Sequence, residues 1–344
     1  MDQDKIEARK RDHLFINLNE DVSSTLSTGF ETFRFVHQAL PELNFDDVDT
    51  TVDLFGKRLK VPLFISSMTG GTAEAFRINC VLAEAAQTGG IAMGLGSQRA
   101  GLDHPDLAYT YQVRKYAPDI LLFANLGAVQ LNYAYTLEHC QRAVDMVQAD
   151  ALILHLNPLQ EALQPGGNTR FSGLLRKIEM VCRGLQVPVI VKEVGWGISE
   201  KVARQLAGAG VAAIDVAGAG GTSWSQVEMY RLEEERSARV AARFAGWGIP
   251  TAESIMQVKQ GAPDVLVFSS GGLKSGIDIA KSIALGAVCG GVAGVFLKAA
   301  HRSLADVLAT ITEFQSEIRL CMFATGARNI EELGKVPLIR VTRG

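Results

Sequence analysis

The sequence predicts a single α/β domain built as an eight-stranded (β/α)8 TIM barrel, and three observations support this. Short apolar, β-type runs recur along most of the chain, at 62–66, 91–95, 120–124, 151–156, 188–192, 212–216, 265–268 and 288–293. Helix-compatible segments separate them, as expected for parallel strands joined by helical crossovers. With Ser66, Gly96, Asn125, His155 and Lys192 as strand ends, successive ends lie 29 to 37 residues apart, a repeat that favours a closed barrel over an open sheet.

The segments between the strands have the length and composition of barrel helices. They are Ala73–Gln87, Leu137–Gln148, Ser172–Gly184, Ser199–Ala207, Ala252–Gln260 and Gly276–Leu285. The connection after the sixth predicted strand, 212–216, is too long for a simple loop. Residues 217–249 combine a glycine-rich stretch with a charged helical run at 233–236, and we expect this insertion to cover a ligand as a lid.

The remaining segments flank the barrel within one domain, 1–344. Residues 1–61 are predicted to form an N-terminal arm and a hairpin that turns at Phe55-Gly56-Lys57 and closes the barrel floor. Residues 62–300 form the barrel, and residues 301–344 form closing helices interrupted at Thr325-Gly326. Composition alone indicates that the first 20 residues, which are polar, are a solvated arm.

Bulk composition excludes several classes of protein. The 34 basic and 37 acidic residues give a formal net charge of -3, which offers no field for nucleic acid or an anionic membrane. Five widely spaced cysteines indicate neither a disulfide framework nor a zinc site. The start of the chain lacks the apolar core of a signal peptide, and the most apolar stretch, 282–297, is short of the ~20 residues that span a bilayer. We therefore expect a cytoplasmic protein.

Polar, small or ionisable residues follow every predicted strand. The stretches in chain order are 66–71, 96–99, Asn125–Gly127, 155–161, Lys192-Glu193, 218–225, 269–272 and 292–294. The opposite strand ends carry mostly turn residues. Because ligand sites of α/β barrels lie at the carboxyl ends of the strands, this asymmetry predicts a site on that face.

Two features of this face indicate a phosphorylated cofactor. Backbone N–H groups at Gly271-Gly272 and Ala293-Gly294, with the start of the helix at Gly276, are suited to hold a phosphate. Lys192 would be a cation directed at the ligand. Two alternatives remain open for Lys192: a Schiff-base nucleophile, or a buried salt bridge, for instance with Glu193.

A second anion is indicated by more cations and donors than one phosphate needs. They are Arg9, Lys10, Arg99, His155, Asn157 and Gln160. Glu161 could hold Mg²⁺ that bridges to a diphosphate, since Mg²⁺ takes few carboxylates together with phosphate oxygens.

These motifs together resemble the type 2 isopentenyl-diphosphate isomerase family, which depends on flavin. The resemblance runs over essentially the whole chain, through 9–13, 68–71, 96–99, 155–161, 191–195, 220–224, Gly271-Gly272 and 325–329. Val295 departs from it, because a proline is expected after Ala293-Gly294.

The resemblance implies a cofactor, a substrate and a metal. FMN would be held by Ser67, Met68, Thr69, Ser97, Asn125, Lys192, Thr222, Gly271, Gly272, Ala293 and Gly294. The substrate diphosphate would be held by Arg9, Lys10, Ser97, Gln98, Arg99, His155, Asn157 and Gln160, and Mg²⁺ by Glu161. The N-terminal arm then becomes a substrate clamp, and the chain is expected to form a homotetramer or homo-octamer.

The implied reaction interconverts isopentenyl and dimethylallyl diphosphate by a 1,3-allylic proton shift. It involves no net redox change, yet it requires reduced FMN, with NADPH as reductant. Our hypothesis is that the flavin acts as the acid–base catalyst, with Gln160, Lys192 and His155 as the catalytic side chains. Lys192 would stabilise the anionic hydroquinone near N1/O2, while Gln160, His155 and Glu161-bound Mg²⁺ would anchor the diphosphate.

Three other functions are compatible with parts of the sequence. A flavin oxidase of hydroxy acids would need a histidine base on a late strand, and the chain has none between His155 and His301. A flavin-free aldolase would use Lys192 as its Schiff base. A scaffold protein would have no reason to keep Gln160 and Glu161.

Overall fold

The computed structural model describes residues 3–341. Its strands are β1 (Phe33–Phe35), β2 (Val52–Leu54), β3 (Lys57–Leu59), β4 (Leu63–Ile65), β5 (Ala92–Gly94), β6 (Leu122–Gly127), β7 (Ala151–His155), β8 (Val189–Lys192), β9 (Ala213–Asp215), β10 (Leu266–Ser269), β11 (Cys289–Val292) and β12 (Leu338–Arg340).

Its helices are α1 (Gln3–Asn19), α2 (Ala73–Gly89), α3 (Arg99–Asp103), α4 (Leu137–Val147), α5 (Pro158–Leu163), α6 (Leu174–Gly184), α7 (Glu200–Gly208), α8 (Trp224–Arg231), α9 (Glu235–Ala242), α10 (Thr251–Gly261), α11 (Gly276–Ala284), α12 (Gly294–Arg302), α13 (Leu304–Thr325) and α14 (Ile330–Leu333). Short 3₁₀ helices lie at Phe30–Thr32, Phe45–Asp47, Pro105–Tyr111, Arg114–Tyr116 and Ala128–Asn132.

The eight strands β4 to β11 form a closed parallel barrel in chain order, and β11 returns to pair with β4. Every barrel strand overlaps one of the eight predicted apolar runs. The predicted (β/α)8 barrel is therefore confirmed. Because all strands run the same way, their carboxyl ends meet on one face.

The barrel interior is packed with aromatic side chains. Phe64, Phe123 and Phe268 are at most 1% exposed, and their ring centroids lie 5.6 to 6.1 Å apart. Burial of such a side chain contributes about 1.5–3 kcal/mol. The hairpin of β2 and β3 adds Leu54 and Leu59 to this cluster, which is consistent with the predicted closure of the floor.

The N-terminal segment differs from a solvated arm. It forms the 17-residue helix α1, whose Leu14 and Ile16 are buried. Near the other end of the chain, β12 pairs antiparallel with β1, a contact that the sequence does not predict.

The insertion after β9 contains α8 and α9 and is bound to the N-terminal segment. Ser24 N–H donates to Gly221 O, and Ser223 N–H donates to Val22 O, both at 2.8 Å. Residues 20–29 and the insertion thus form one cover over the barrel mouth. Within residues 3–341, no helix is both long and apolar enough to cross a bilayer.

Candidate active site

A cavity of 1010 Å³ lies at the carboxyl ends of the barrel strands, beneath α1 and the insertion. It brings together the predicted site residues with one exception. Those that line it are Arg9, Lys10, Ser67, Met68, Thr69, Ser97, Arg99, Asn125, His155, Asn157, Gln160, Glu161, Lys192, Thr222, Gly271, Gly272, Ala293 and Gly294.

Gln98, predicted to bind substrate, is the exception, because it does not line the cavity. The side chain is fully buried behind the cavity, where Nε2 donates to Ala143 O at 2.8 Å and Oε1 accepts from Asn125 N–H at 2.9 Å. Its amide joins β6 to α4. Its place in the motif is explained by this structural role, since a buried amide must be hydrogen-bonded.

The glycines predicted to cradle a phosphate are needed where two loops pass each other. Gly271 has φ 103°, and a Cβ there would lie 2.2 Å from Gly218 O. Gly272 has φ 79°, and its Cβ would lie 2.4 Å from Gly220 backbone. Gly294 differs from both, because a Cβ there would meet no atom within 4 Å. The N-terminus of α12 is therefore open to the cavity, where its N–H groups can meet an anion.

Lys192 ends β8 and is held by a buried carboxylate. Nζ lies 2.9 Å from Asp215 Oδ2 and donates to Ser270 Oγ at 2.9 Å. Ser270 Oγ in turn donates to Asp215 Oδ1 at 2.6 Å. The salt bridge left open for Lys192 thus exists, but its partner is Asp215.

Glu193 serves another purpose. Its Oε2 accepts from the backbone N–H groups of Val194, Gly195 and Trp196 at 2.6 to 2.7 Å, which fixes the loop that follows β8. Burial raises the pKa of Glu193 to about 7, against the opposing effect of these donors and of Lys192.

His155, at the end of β7, presents a neutral imidazole. Nδ1 lies 2.8 Å from Asn125 Oδ1, so Nδ1–H donates to that oxygen. Burial, together with Lys10 and Lys192, lowers the pKa of His155 to about 3. His155 therefore lines the site as an uncharged imidazole.

Cations converge on the side of the cavity under α1. Burial lowers the pKa of Lys10 to about 8, and the charges of Arg9 and Arg99 add to this effect. The pKa of Arg9 is lowered by burial and by Arg99 and Arg231, and its Nε is buried without a hydrogen-bond partner among the described atoms. Like charges gathered in this way are suited to a multiply charged anion.

Arg99 is oriented from behind. Its Nε donates to Asp103 Oδ2 at 3.3 Å, and Asp103 Oδ1 accepts from Tyr135 OH at 2.7 Å. Burial, followed by the hydrogen bond to Asp103, raises the pKa of Tyr135.

Oxygen atoms gather beside these cations at α5. Asn157 Nδ2 donates to Gln160 Oε1 at 3.0 Å and to Glu161 Oε1 at 3.1 Å, while Asn168 N–H donates to Glu161 Oε2 at 2.5 Å. Asn157 Oδ1 is buried and has no hydrogen-bond partner among residues 3–341. No cluster of three or more potential His, Cys, Asp or Glu metal ligands exists within that range. A metal here would need oxygen ligands from elsewhere.

Glu228 of α8 is a functional-site residue that no sequence motif indicates. This fully buried carboxylate accepts from Gln160 Nε2 at 3.1 Å and Arg231 Nη1 at 2.6 Å, and it lies 3.2 Å from His13 Nε2. Burial alone would raise the pKa of Glu228, but His13 and Arg231 outweigh it and hold the pKa below its ordinary value. Glu228 therefore connects α1, α5 and the insertion.

His13 and Trp224 meet above the cavity, with ring centroids 5.1 Å apart in an edge-to-face arrangement. Neither was predicted as a site residue. In the sequence, only their positions within the motifs 9–13 and 220–224 indicated a role at the site.

Comparisons with known proteins agree with this geometry. A family model described as FMN-dependent dehydrogenase matches residues 145–340. An isopentenyl-diphosphate delta-isomerase from Synechocystis sp. is 56% identical over 331 residues, covering 96% of this chain and 95% of the relative. The enzyme of that name from Rickettsia felis is 52% identical over 330 residues, with 96% of each chain covered.

Solved structures of mandelate oxidase share the fold. A mutant with the monooxide FMN adduct has a TM-score of 0.67 and 18% identity, covering 97% of this chain and 99% of that one. A mandelate oxidase with benzoyl-formic acid has a TM-score of 0.65 and 18% identity, covering 99% of both chains. At this identity the similarity shows the fold alone.

Proposed function

The chain belongs to the type 2 isopentenyl-diphosphate delta-isomerase family, within the FMN-dependent dehydrogenases, and from this premise we propose that it interconverts isopentenyl diphosphate and dimethylallyl diphosphate. The observation that carries the proposal is one cavity with two kinds of anion site. A glycine-lined helix N-terminus opens into it, and the cations Arg9, Lys10 and Arg99 also line it. An enzyme that holds both a flavin phosphate and a substrate diphosphate needs both.

The residues present fit FMN. The N-terminus of α12 is open at Gly294, and Ser67 Oγ is buried without a hydrogen-bond partner among the described atoms, as expected for a group that awaits a ligand. We propose that the residues predicted for FMN hold it: Ser67, Met68, Thr69, Ser97, Asn125, Lys192, Thr222, Gly271, Gly272, Ala293 and Gly294. When bound and reduced, FMN would supply ring atoms that exchange a proton with the alkene.

The substrate diphosphate is proposed to lie against Arg9, Lys10 and Arg99. Asp103 fixes the direction of the Arg99 side chain, and the unpartnered Nε of Arg9 provides a donor that is already desolvated. Ser97, His155, Asn157 and Gln160 complete the set. Because His155 is neutral and Asn125 holds its Nδ1, it contributes shape and a single polar atom rather than charge.

Mg²⁺ is proposed to bind Glu161 and oxygens of the diphosphate. The carboxylate is fixed by Asn157 and by the Asn168 N–H, and Asn157 Oδ1 offers a second oxygen close by. Since the described residues supply few ligands, the phosphate oxygens would complete the octahedron that Mg²⁺ prefers.

The protein's own contribution to the reaction is positioning. The shift adds a proton to the terminal alkene carbon and removes one from the carbon next to C1. The five-carbon tail offers nothing to hydrogen-bond, so the cations hold it through its charged head. Gln160 is fixed by Asn157 and Glu228, and residues 20–29 with the insertion cover the barrel mouth. Lys192 places a positive charge at the end of β8, toward the proposed flavin.

We further propose NADPH as the reductant, a cytoplasmic location and a homotetrameric or homo-octameric assembly, all as the resemblance implies. The site does not support the alternative function, oxidation of hydroxy acids, because among the described residues it offers no free histidine as the base. The two histidines that line the cavity within residues 3–341 are engaged, His13 with Glu228 and His155 with Asn125.

The test is an assay of the purified protein for both activities. Isopentenyl diphosphate is supplied with FMN, Mg²⁺ and NADPH, and the product is followed by NMR. Mandelate and lactate are supplied in parallel, with hydrogen peroxide as the readout. We expect isomerisation and no peroxide; peroxide production without isomerisation would refute the proposal.

A further inference from the structure

Asp215 is a buried carboxylate that the proposed reaction does not use. It ends β9, is 0% exposed and does not line the cavity. In the barrel register it lies directly beside Lys192. Side chains at paired positions of neighbouring parallel strands point to the same face, so both groups point into the barrel.

The Asp215 carboxylate contacts the Lys192 ammonium group in two ways, directly and through a bridging hydroxyl. Lys192 Nζ lies 2.9 Å from Asp215 Oδ2, and Ser270 Oγ bridges Lys192 to the other oxygen, Oδ1. Ala217 N–H donates to Oδ1 at 3.4 Å. The position of the Lys192 ammonium group is therefore fixed, and part of its charge is cancelled.

The charge of Asp215 extends into the barrel. It contributes, after burial, to the raised pKa of the Cys289 thiol on β11. Solvent and salt screen a buried charge only weakly, so the charge of Asp215 acts on any ligand at the barrel mouth.

We propose that Asp215 is a positioning residue that acts through Lys192 to set the reduction potential of bound FMN and to keep a proton on the reduced ring. This deepens the proposed function and rests on it for the identity of the cofactor. A cation without a counter-charge beside the ring would favour the deprotonated reduced form and weaken it as a proton donor. Compensation by Asp215 keeps the ring able both to give and to accept a proton, as an allylic shift requires.

The test compares FMN-loaded variants without turnover. Asp215→Asn keeps the shape and removes the charge. Asp215→Ser is also neutral and leaves room for a water molecule. The matched control is Asp150→Asn, because Asp150 pairs with Lys57 and Arg114 at 2.8 Å at the amino end of β7, the opposite end of the barrel.

The measurement is the midpoint potential of bound FMN, followed by absorbance during anaerobic reduction, together with a pH titration of the reduced spectrum. In both Asp215 variants we expect the affinity for reduced FMN, relative to that for oxidised FMN, to rise at least about tenfold. For a two-electron couple, a tenfold change raises the midpoint potential by about 29.6 mV. We expect the titration midpoint of the reduced spectrum to move to lower pH. Asp150→Asn should match the wild type in both.

The outcomes separate the two proposals. Wild-type protein that binds no FMN would overturn both. Wild-type protein that binds FMN, with unchanged potentials in the Asp215 variants, would overturn only the role of Asp215. If neither Asp215 variant retains FMN while Asp150→Asn does, the carboxylate holds the barrel mouth together and the proposal is likewise rejected.

Discussion

Substrate binding should weaken above pH 8 because of Lys10. Burial and the neighbouring Arg9 and Arg99 lower the pKa of Lys10 to about 8 in the free protein. The ammonium form is the one that binds a diphosphate. Since the pKa is lowered, the charged form is present below pH 8 and is lost as the pH rises.

The magnitude follows from the fraction of protein that carries the charge. With a pKa near 8, about nine-tenths of Lys10 is charged at pH 7 and about one-tenth at pH 9. The apparent dissociation constant scales inversely with the competent fraction, so affinity should fall by up to about tenfold over this interval. The diphosphate itself changes little there, because the second ionisation of a phosphate group lies near pH 6.

The assay is calorimetric titration of the FMN-loaded, oxidised protein with isopentenyl diphosphate and Mg²⁺ at pH 7, 8 and 9. Lys10→Arg supplies the matched comparison, since a guanidinium keeps its charge throughout this range. We expect the loss of affinity in wild type and little of it in Lys10→Arg. An affinity that does not change with pH in the wild type, or that falls equally in both proteins, would refute the reasoning.

Three further predictions concern single side chains. Lys192→Met should weaken the binding of reduced FMN more than that of oxidised FMN, by about tenfold or more, because it removes the cation beside the proposed ring; equal affinities, measured by fluorescence titration, would contradict this. Glu161→Gln should raise the Mg²⁺ concentration needed for half-maximal activity about ten- to a hundredfold, and an unchanged Mg²⁺ dependence would rule out direct ligation. Glu228→Ala should lower the free energy of unfolding by about 3 to 5 kcal/mol, because it leaves His13 and Arg231 without their buried partner; urea denaturation of the free protein measures this, and a change below about 1 kcal/mol would show that α1 is held by other contacts.

The barrel could be predicted because its signal is local. Apolar runs such as Ala151–His155 are buried on both faces, and turn residues mark their ends. The pairing of β1 with β12 could not be predicted, because three-residue strands at opposite ends of the chain carry no pattern of their own. The packed helix α1 could not be predicted either, because its sequence carries no clear apolar pattern. Its average composition is polar, and one face is buried only because α1 packs against the insertion and α12.

The site could be predicted as a set of strand ends, but the partners of its residues could not. Glu193 was one candidate partner for a salt bridge with Lys192. Successive residues of a strand point to opposite faces of the sheet, so the side chains of Lys192 and Glu193 do not meet. Asp215 was accessible to the same reasoning, as an acid at the end of the next strand. Glu228 was not, since a single glutamate in α8 becomes distinctive only when α1 and α5 pack against it.

The central claim is that this cavity moves a proton along an allylic diphosphate only with a reduced flavin in place. The direct measurement uses one preparation of FMN-loaded protein with Mg²⁺, in which isopentenyl diphosphate is followed by NMR under anaerobic conditions before and after photoreduction, without NADPH. The account predicts dimethylallyl diphosphate only after reduction, and loss of activity when air restores the oxidised cofactor. Equal conversion by the oxidised protein would contradict it.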